Sequence, residues 1–444
     1  MFRPIACPLH RVAAAAFAAL LAASIFSPRG APALSREPRD PRGGAAEPPA
    51  EFESPRLDRL ARECRDRGNR ADALASFWQE VRGRAPLVEP APGTTNEVLV
   101  TFPWQGTPQT RRVGPLGTKP SPDPSENEFK RFLDTDLWYK TERLPADARF
   151  GYAIAENGGP YKPDPLNPRT FAGRSVVELP NAPKEPWLAR DPAVAAGTLT
   201  TPILHSDVLK EDRSVAVYLP AGHRAGAADP YPLLVVFDGE SFGSRSESAI
   251  QTRTILDNLS AAKKIRPTVA VLVNSQGTRD RDLVCSEAFS DFLALELVPW
   301  CRREFNVSPD PAQTTAAGSS YGGLCAAYAA FRRPTVFGNV LSMSGSFSYF
   351  PGWQAKKPEN ADETGWLTRQ LATGPKLPVR FCLSVGRFES NLLRENRRLR
   401  DVLEAKGYRL DYFEYSGGHD YLGWRYAFVD GLVKLLAPTP APGR

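Results

Sequence analysis

The residues best suited to chemistry lie at 318–322, which read G-S-S-Y-G, a G-x-S-x-G motif. Small and β-branched residues precede this motif and an apolar helical pattern follows it from Leu324, so we predict a strand, a sharp turn and a helix. Such a turn lifts a serine oxygen clear of its backbone, and glycines at both ends leave room where a Cβ would clash. The pentapeptide alone also fits a Ser-rich surface turn, but its context makes Ser320 the candidate nucleophile.

A nucleophilic serine needs a neighbouring base, because its hydroxyl is hardly ionised at neutral pH. The chain contains four histidines, His10, His205, His223 and His419. His10 lies in a predicted export signal, while His205 and His223 precede the nucleophile near the first strands, where surface or loop roles are expected. His419 follows two glycines after the last predicted strand and precedes the last helix. It is the candidate base, and its alternative role is that of a solvated loop residue.

A carboxylate should approach the imidazole nitrogen that faces away from the serine, because it then fixes the tautomer. The strand-like run at 381–385 ends in a loop that reads G-R-F-E-S, which makes Glu389 the candidate acid. Its alternative role is a surface carboxylate paired with Arg387. The rivals are two carboxylates on the strand before the base and one that adjoins the base and is poorly placed to orient it: Asp411, Glu414 and Asp420.

Two backbone amides should stabilise the oxyanion that forms when an ester carbonyl is attacked. The first candidate is the N–H of Tyr321, which directly follows the nucleophile. The second should come from the loop after the apolar run at 233–237, where the amide of Glu240 or Ser241 is the candidate donor. A phosphate-binding loop is the competing interpretation of a glycine after a strand, but the glycine triplet that it needs is missing.

The elements that must position these groups appear after Pro202 as strand-like runs, each followed by a helical stretch. The runs are Val215–Leu219, Leu233–Phe237, Val269–Val273, Thr314–Ala317, Val340–Met343, Val379–Val385 and Leu410–Tyr415. Continuous apolar strands that alternate with helices indicate a mostly parallel sheet buried on both faces. We therefore expect an α/β catalytic domain at 201–438. The chain order of serine, acid and histidine favours the α/β-hydrolase fold.

The preceding segment, 55–200, shows a different pattern. An amphipathic helix is predicted from Leu57 to Val81, followed by short strand-like runs broken by proline and glycine: Val98–Phe102, Leu137–Thr141 and Phe150–Ile154. Such runs favour a small N-terminal β-sandwich module. Residues 161–168, which read Y-K-P-D-P-L-N-P, contain too many prolines for a central strand and predict an exposed loop. The module contains no histidine and no nucleophile motif, so nothing in it suggests catalysis.

The N-terminal end predicts export. Residues 1–33 combine basic residues, the alanine-rich apolar run Val12 to Phe26 and an A-P-A site, as a signal peptide does. The apolar run is too short for a comfortable membrane span, although an uncleaved anchor is the alternative. Residues 34–54 are rich in Pro, Gly, Arg and Glu and predict a disordered linker, and 439–444 form a tail. We expect a periplasmic or secreted protein with no stable membrane span after signal removal.

Composition limits the classes of partner. The net charge of +6 is modest for 444 residues, and basic and acidic residues are interspersed, which argues against nucleic-acid binding. Without Cys7, five cysteines remain, and this odd, scattered set without a C-x-x-C pair argues against a zinc site and a disulfide scaffold. The sequence leaves undecided whether two of these cysteines form a disulfide bridge. Serine-based ester chemistry requires no metal or cofactor.

The chain resembles the enterochelin (enterobactin) esterase family, within the esterase D group of α/β-hydrolases. In the catalytic part the resemblance rests on 234–241 (L-V-V-F-D-G-E-S), 279–285 (R-D-R-D-L-V-C), 318–324 (G-S-S-Y-G-G-L), 342–346 (S-M-S-G-S), 386–389 (G-R-F-E) and 417–420 (G-G-H-D) with Trp424 and Arg425. Upstream it rests on Phe77-Trp78, 86–88, 100–102 with Trp104, 135–138 and 164–168. The resemblance implies the same nucleophile, base and acid, Ser320, His419 and Glu389.

The resemblance also implies a substrate. The family hydrolyses the cyclic trilactone of 2,3-dihydroxybenzoyl-serine, usually as its ferric complex, so that iron is released. Because a ferric tris-catecholate is strongly anionic, Arg279, Arg387 and Arg425 are candidate charge partners and Trp424 is a further candidate substrate-binding residue. The alternative role of the arginines is to hold neighbouring loops together.

Other functions stay open at this point. Export suits the runner-up, a feruloyl or acetyl esterase acting on plant polysaccharide, and acyl transfer to a sugar is a third reaction. From a different class, the chain could be a non-catalytic protein that binds a siderophore or a glycan. An intact set of serine, glutamate and histidine argues against that last hypothesis.

Overall fold

The computed structural model describes residues 51–65, 69–114, 127–245, 249–352 and 365–438. The predicted signal peptide, most of the predicted linker and the tail lie outside these residues. Among the described helices, none has the length and apolar character needed to cross a membrane. The described residues all belong to one compact unit, so its division into 55–200 and 201–438 stays a prediction.

A nine-stranded sheet forms the centre of the molecule. Its strands are β8 (Thr198–Thr200), β9 (Ile203–Ser206), β10 (Glu211–Leu219), β11 (Leu233–Phe237), β12 (Val269–Val273), β13 (Thr314–Ser319), β14 (Asn339–Met343), β15 (Arg380–Gly386) and β16 (Arg409–Tyr415). The order is β16-β15-β14-β13-β11-β12-β10-β8, with β9 paired to β10. The six strands β16, β15, β14, β13, β11 and β12, which are neighbours in that order across the sheet, all run parallel. Strand β10 pairs antiparallel with β12, β8 and β9.

The apolar composition of the strands follows from burial on both faces of the sheet. Along β11 successive side chains enter two different cores, with Leu233, Val235 and Phe237 in one and Leu234 and Val236 in the other. Every strand run predicted after Pro202 coincides with an observed strand, except that β15 begins at Arg380, one residue after the predicted start at Val379, and the predicted mostly parallel sheet is confirmed.

Helices cover both faces of this sheet, and two further helices precede it in the chain. They are α1 (Pro55–Arg65), α2 (Arg70–Val81), α3 (Gly239–Phe242), α4 (Thr252–Ala261), α5 (Arg279–Asp282), α6 (Glu287–Phe292), α7 (Val298–Phe305), α8 (Tyr321–Arg332), α9 (Trp366–Thr373), α10 (Ser390–Ala405) and α11 (Tyr421–Leu436). Helices α6 to α10 contribute to one core, and α4 and α11 contribute to the other. Within the described residues, the helix predicted from Leu57 to Val81 is seen as α1, which ends at Arg65, and α2, which begins at Arg70 after its N-cap residue Asn69.

Two small antiparallel sheets precede the large one. The first contains β1 (Leu87–Pro90), β2 (Glu97–Gln105), β3 (Lys130–Arg131) and β4 (Leu137–Pro145), and the second contains β5 (Arg149–Tyr152), β6 (Thr170–Phe171) and β7 (Arg174–Glu178). Val100 and Phe102 of the first sheet share a core with Phe150, Tyr152 and Val177 of the second. The identity of 55–200 as a family-specific N-terminal domain stays a prediction.

Residues 161–168 form a loop, as predicted, but the expectation that the loop is exposed is wrong for Asp164 and Asn167, which are buried. The Tyr152 hydroxyl donates to Asp164 Oδ2 over 2.7 Å, and Asn167 Nδ2 donates to the carbonyl of Val176. These contacts fix the loop to β5 and β7. The five described cysteines are free thiols, so the bridge that the sequence left open is not formed.

Candidate active site

Ser320 occupies a sharp turn between β13 and α8. Its backbone has φ 55° and ψ −119°, which a residue with a Cβ rarely adopts and which costs conformational energy. A Cβ at position 318 would lie 2.5 Å from the carbonyl carbon of Gly322, so the turn can close only with glycine there. At Gly322 the nearest atom to an added Cβ is 3.3 Å away, and the requirement for glycine is milder. The predicted strand, turn and helix are present.

His419 lies in the loop between β16 and α11, and its imidazole reaches the serine. Its Nε2 is 3.0 Å from Ser320 Oγ, and its Nδ1 is 2.5 Å from Glu389 Oε2. An ionised carboxylate only accepts hydrogen bonds, so this geometry places the imidazole proton on Nδ1 and leaves Nε2 to accept the serine hydroxyl. The structure therefore brings the three side chains predicted for catalysis into one hydrogen-bonded chain.

Glu389 directly follows the loop after β15 and begins the turn into α10. Its side chain is 1% exposed, in contrast to 38% for His419. Oε1 accepts hydrogen bonds from the amide of Gly386 at 2.7 Å and from Ser344 Oγ at 2.6 Å. These donors compensate for the loss of water around the carboxylate and hold Oε2 towards the imidazole.

The rival carboxylates are engaged elsewhere. Asp411 pairs with Arg380, and Glu414 makes a bidentate pair with Arg397. Asp420 caps the N terminus of α11 by accepting the amides of the two residues at positions 422 and 423. Glu389 is therefore the carboxylate that the structure places against His419.

One predicted oxyanion donor, Tyr321, directly follows the serine in the chain. The other lies in the loop after the neighbouring strand β11. Tyr321 is the first residue of α8, where the helix dipole presents partial positive charge. The amide of Ser241 donates to the carbonyl of Asp238 over 2.8 Å, which favours Glu240 as the second donor. The Glu240 carboxylate accepts the amides of Ser275 and Gln276 and thereby holds this loop. The oxyanion roles stay predictions.

Arg279 lies beside the turn that carries the serine. Its guanidinium makes a bidentate hydrogen bond with Asp238, at 2.7 and 2.8 Å, and lies 5.1 Å from the centre of the Tyr321 ring. Burial opposes the charge of this guanidinium, but hydrogen bonding and attraction from Asp238 prevail and raise the pKa of Arg279. The side chain remains 36% exposed, so it can both hold the loop and meet a ligand.

The other candidate substrate-binding residues have different surroundings. Arg387 is exposed and its Nη1 donates to Ser416 Oγ in the histidine loop. Arg425 forms a bidentate pair with Glu185 and lies over the ring of Phe171, so its contacts belong to the segment before the large sheet. Its placement favours the loop-holding role that was its alternative.

Trp424 is buried behind the imidazole. Its ring lies edge-on to His419 with centroids 4.7 Å apart, and its Nε1 donates to Ser344 Oγ over 3.0 Å. Only 6% of the residue is exposed. This placement favours orientation of the base over direct contact with substrate.

Sequence reasoning missed the hydroxyl groups that support the acid. Ser344 Oγ donates to Glu389, accepts from Trp424 and lies 3.1 Å from the hydroxyl of Tyr415. Burial raises the pKa of Tyr415 well above its usual value, so its hydroxyl stays protonated. The signal available was the S-M-S-G-S motif at 342–346, which the resemblance includes without assigning a role.

Comparisons with known proteins agree with this site. The family model Esterase, described as "Putative esterase", matches residues 206–435. The iron(III) enterobactin esterase of Dickeya dadantii is 27% identical over 416 residues, covering 81% of this chain and 92% of that protein. The iron(III) enterobactin esterase of Escherichia coli strain K12 is 30% identical over 286 residues, covering 62% of this chain and 67% of that protein.

A solved structure extends the similarity to the fold. The enterobactin esterase of Shigella flexneri, crystallised in the presence of enterobactin, superposes with a TM-score of 0.62 at 26% identity. The match covers 81% of this chain and 97% of that one, which confirms the α/β-hydrolase prediction. With its buried acid, exposed imidazole and strained serine turn, this chain belongs to the enterochelin esterase family of carboxylic ester hydrolases.

Proposed function

We propose that this esterase hydrolyses the ester bonds of a catecholate siderophore trilactone, as its ferric complex, so that iron can be released. The observation that carries the proposal is the hydrogen-bonded chain from Ser320 through His419 to Glu389, with a cationic side chain beside the serine turn. The similarity to enterobactin esterases over four fifths of the chain supplies the substrate class.

The site performs acyl transfer in two halves. Ser320 Oγ attacks the ester carbonyl while its proton passes to His419 Nε2, and the amides of Tyr321 and Glu240 receive the oxyanion. Collapse of this intermediate breaks the ester C–O bond, and the imidazolium returns the proton to the departing hydroxyl. Water then attacks the acyl-enzyme with His419 as base, which frees the carboxylic acid and regenerates the serine.

Glu389 acts through the imidazole during both halves. Its carboxylate keeps the proton on Nδ1, so Nε2 can accept the serine proton, and it stabilises the positive charge that then develops on the ring. The amide of Gly386 and the hydroxyl of Ser344 fix this carboxylate before substrate arrives. Prior fixing reduces the reorganisation that the reaction requires.

Charge near the serine suits an anionic substrate. Arg279 contacts Tyr321, the residue after the nucleophile, and exposed Arg387 lies by the loop that carries the base. Because guanidinium groups bind anionic oxygens through hydrogen bonds as well as charge, these two side chains are the proposed contacts for the catecholate oxygens. Iron is cargo of the substrate and takes no part in the chemistry of the serine.

Export forms a separate part of the proposal. We infer from residues 1–33 that the protein acts in the periplasm or outside the cell. N-terminal sequencing of the protein purified from its own host tests this directly. A mature N terminus shortly after Ala33 supports export, whereas recovery of the full N terminus from the cytoplasm contradicts it.

Product analysis tests the substrate. Purified protein is incubated with ferric enterobactin and, separately, with methyl ferulate and acetylated xylan, and the products are identified by mass spectrometry. Dihydroxybenzoyl-serine and its linear oligomers are expected from wild type and not from Ser320→Ala. Ferulate or acetate as the sole product would contradict the siderophore assignment, and binding without turnover would contradict the enzyme assignment.

A further inference from the structure

The small sheet that contains β5 lies directly against the two loops that carry the base and the acid. The amide of Arg149 donates to the carbonyl of Ser416, at the start of the histidine loop, over 3.0 Å. The ring of Phe150 meets the ring of Phe388 edge to face with centroids 5.4 Å apart, and Phe388 is the residue before the acid. A strand that contains no catalytic group therefore contacts both loops.

The closest of these contacts passes through Asp420, the residue after the base. Its Oδ2 accepts the amide of Gly151 in β5 over 2.9 Å. Its Oδ1 accepts the amides of Leu422 and Gly423 at 2.9 and 3.2 Å, which caps α11. One carboxylate thus joins the histidine loop to a helix on one side and to β5 on the other.

The chemistry of this group suits a fixed anchor. Burial raises the pKa of the Asp420 carboxyl, and hydrogen bonds from the amides of Gly151, Gly423 and Leu422 act in the opposite direction. Three donors directed at two oxygens require both oxygens to be acceptors, which a carboxylate satisfies and a carboxamide does not. A residue that only caps the helix needs one acceptor oxygen. This position needs two, which explains why it is an aspartate.

The two loops are also joined to each other. The amide of Arg387 donates to the carbonyl of Tyr415, and the amide of Phe388 donates to the carbonyl of Gly417 over 3.0 Å. An added Cβ at Gly417 would lie 2.9 Å from the carbonyl oxygen of Arg149, so the loop approaches β5 at backbone distance. A displacement of β5 would therefore displace both the histidine loop and the acid loop.

We propose that Asp420 is a positioning residue for His419, and that β5 is the fixed surface against which it holds the histidine and acid loops. This inference rests on the proposed function, because it concerns the geometry of the same base. It assigns to the segment before the large sheet a role in alignment of the imidazole, a role that needs no contact between that segment and the substrate.

The substitution Asp420→Asn tests this role in the full-length protein. Asparagine keeps the shape and one acceptor, but its amide N–H groups would face either the Gly151 N–H or the helix amides. We expect kcat to fall about tenfold with KM within twofold, because a histidine loop without this anchor holds the imidazole less precisely against Ser320. The downfield proton resonance of the His419–Glu389 hydrogen bond should broaden or vanish.

Asp164→Asn is the matched control. Asp164 is buried and, like Asp420, accepts hydrogen bonds next to β5, from Tyr152 and from the amide of Leu166, but it does not contact the histidine loop through them. It should lower the melting temperature and leave kcat within twofold of wild type. If Asp164→Asn loses as much kcat as Asp420→Asn, or if Asp420→Asn keeps wild-type kcat and its downfield resonance, the proposal is wrong.

A second pair keeps the test decisive if Asp420→Asn does not fold. Phe150→Leu shortens the side chain that contacts Phe388, whereas Phe102→Leu makes the same change in the same core against Tyr152. We expect a severalfold loss of kcat from the first substitution and none from the second. Equal kcat for the two variants contradicts the proposal.

The substrate for these assays is 4-nitrophenyl acetate, with Ser320→Ala as the baseline. If the siderophore assignment fails, this neutral ester still reports on the serine, the base and the acid. If Ser320→Ala retains turnover, the proposed catalytic function fails and not the positioning role alone. The two failures are therefore distinguishable.

Discussion

The two sides of the candidate site differ in how much of their geometry is set before a substrate binds. On the acid side, Glu389 is buried and receives hydrogen bonds from Gly386 and Ser344. On the rim, Arg279 is partly exposed and Arg387 is exposed. Fixed donors around a buried group can lower the barrier of the chemical step, whereas exposed cations act mainly on binding. We therefore expect changes on the acid side to reduce kcat and changes on the rim to raise KM.

The largest effect should come from the nucleophile. Ser320→Ala removes the only oxygen that can form the acyl-enzyme in this scheme, and kcat should fall by about four to six orders of magnitude. Binding of ferric enterobactin, measured by isothermal titration calorimetry, should persist. Substantial turnover by the variant would show that another group performs the attack.

Glu389→Gln should give the next largest loss. Glutamine cannot accept from Nδ1–H and also receive the donors at Oε1 in the same way, so the imidazole loses its preferred tautomer, and kcat should fall by about 10²- to 10⁴-fold. Steady-state kinetics on 4-nitrophenyl acetate measures the loss. Asp411→Asn, which breaks a pair with Arg380 on the neighbouring strand, serves as the control. Equal losses would remove the distinction between the acid and its rivals.

Ser344→Ala should reduce kcat by about tenfold, because it removes one hydrogen bond to a buried carboxylate worth about 1.5 kcal/mol. The matched control is Ser342→Ala, two residues earlier, near the end of β14. Ser342 Oγ is buried and makes no hydrogen bond within the described part of the chain. A comparable loss of kcat in both variants would mean that this segment tolerates no loss of a hydroxyl group, and that the hydroxyl of Ser344 has no specific role.

Arg387→Gln should affect the rim. We expect KM for ferric enterobactin to rise about fivefold, since a charge contact near the surface is worth about 1 kcal/mol. The rise should shrink with added salt and be smaller for neutral 4-nitrophenyl acetate. A fall in kcat with constant KM would place this arginine on the chemical side of the comparison.

Arg425→Gln should have the smallest kinetic effect. Its guanidinium pairs with Glu185, and both side chains are largely buried, but Glu185 keeps Arg149 as a second partner, so the loss should appear as about 2 kcal/mol in the free energy of unfolding. Urea denaturation measures this change, and KM for the ferric siderophore should stay within twofold. An increase in KM like that of Arg387→Gln would restore Arg425 as a substrate contact.

The sequence supported prediction of the parts that depend on local order along the chain. The strand, turn and helix around Ser320 and the strand before Glu389 each have a local pattern, and the positions of the three candidate side chains followed from the order of these elements. Strands β8 and β9 were missed because they are short and half exposed, so they lack a continuous apolar run.

Contacts between distant segments could not be read in the same way. Asp420 and Gly151 are 269 residues apart in the chain, and nothing near either residue signals their hydrogen bond. Trp424 was assigned to substrate because its motif adjoins the base, yet burial against Ser344 is decided by the packing of α11 on the sheet. Such roles depend on tertiary packing, which one sequence does not display.

The central claim is that the hydroxyl of Ser320 is made nucleophilic by His419. Labelling with a fluorophosphonate, followed by peptide mass spectrometry, tests it most directly, because mapping separates Ser320 from neighbouring Ser319. We predict a single adduct on Ser320 in the wild-type protein, formed at a much lower rate in His419→Ala. Complete inhibition of the wild-type enzyme with the adduct on any other residue would contradict this claim. Labelling of Ser320 at the same rate in His419→Ala would contradict it as well.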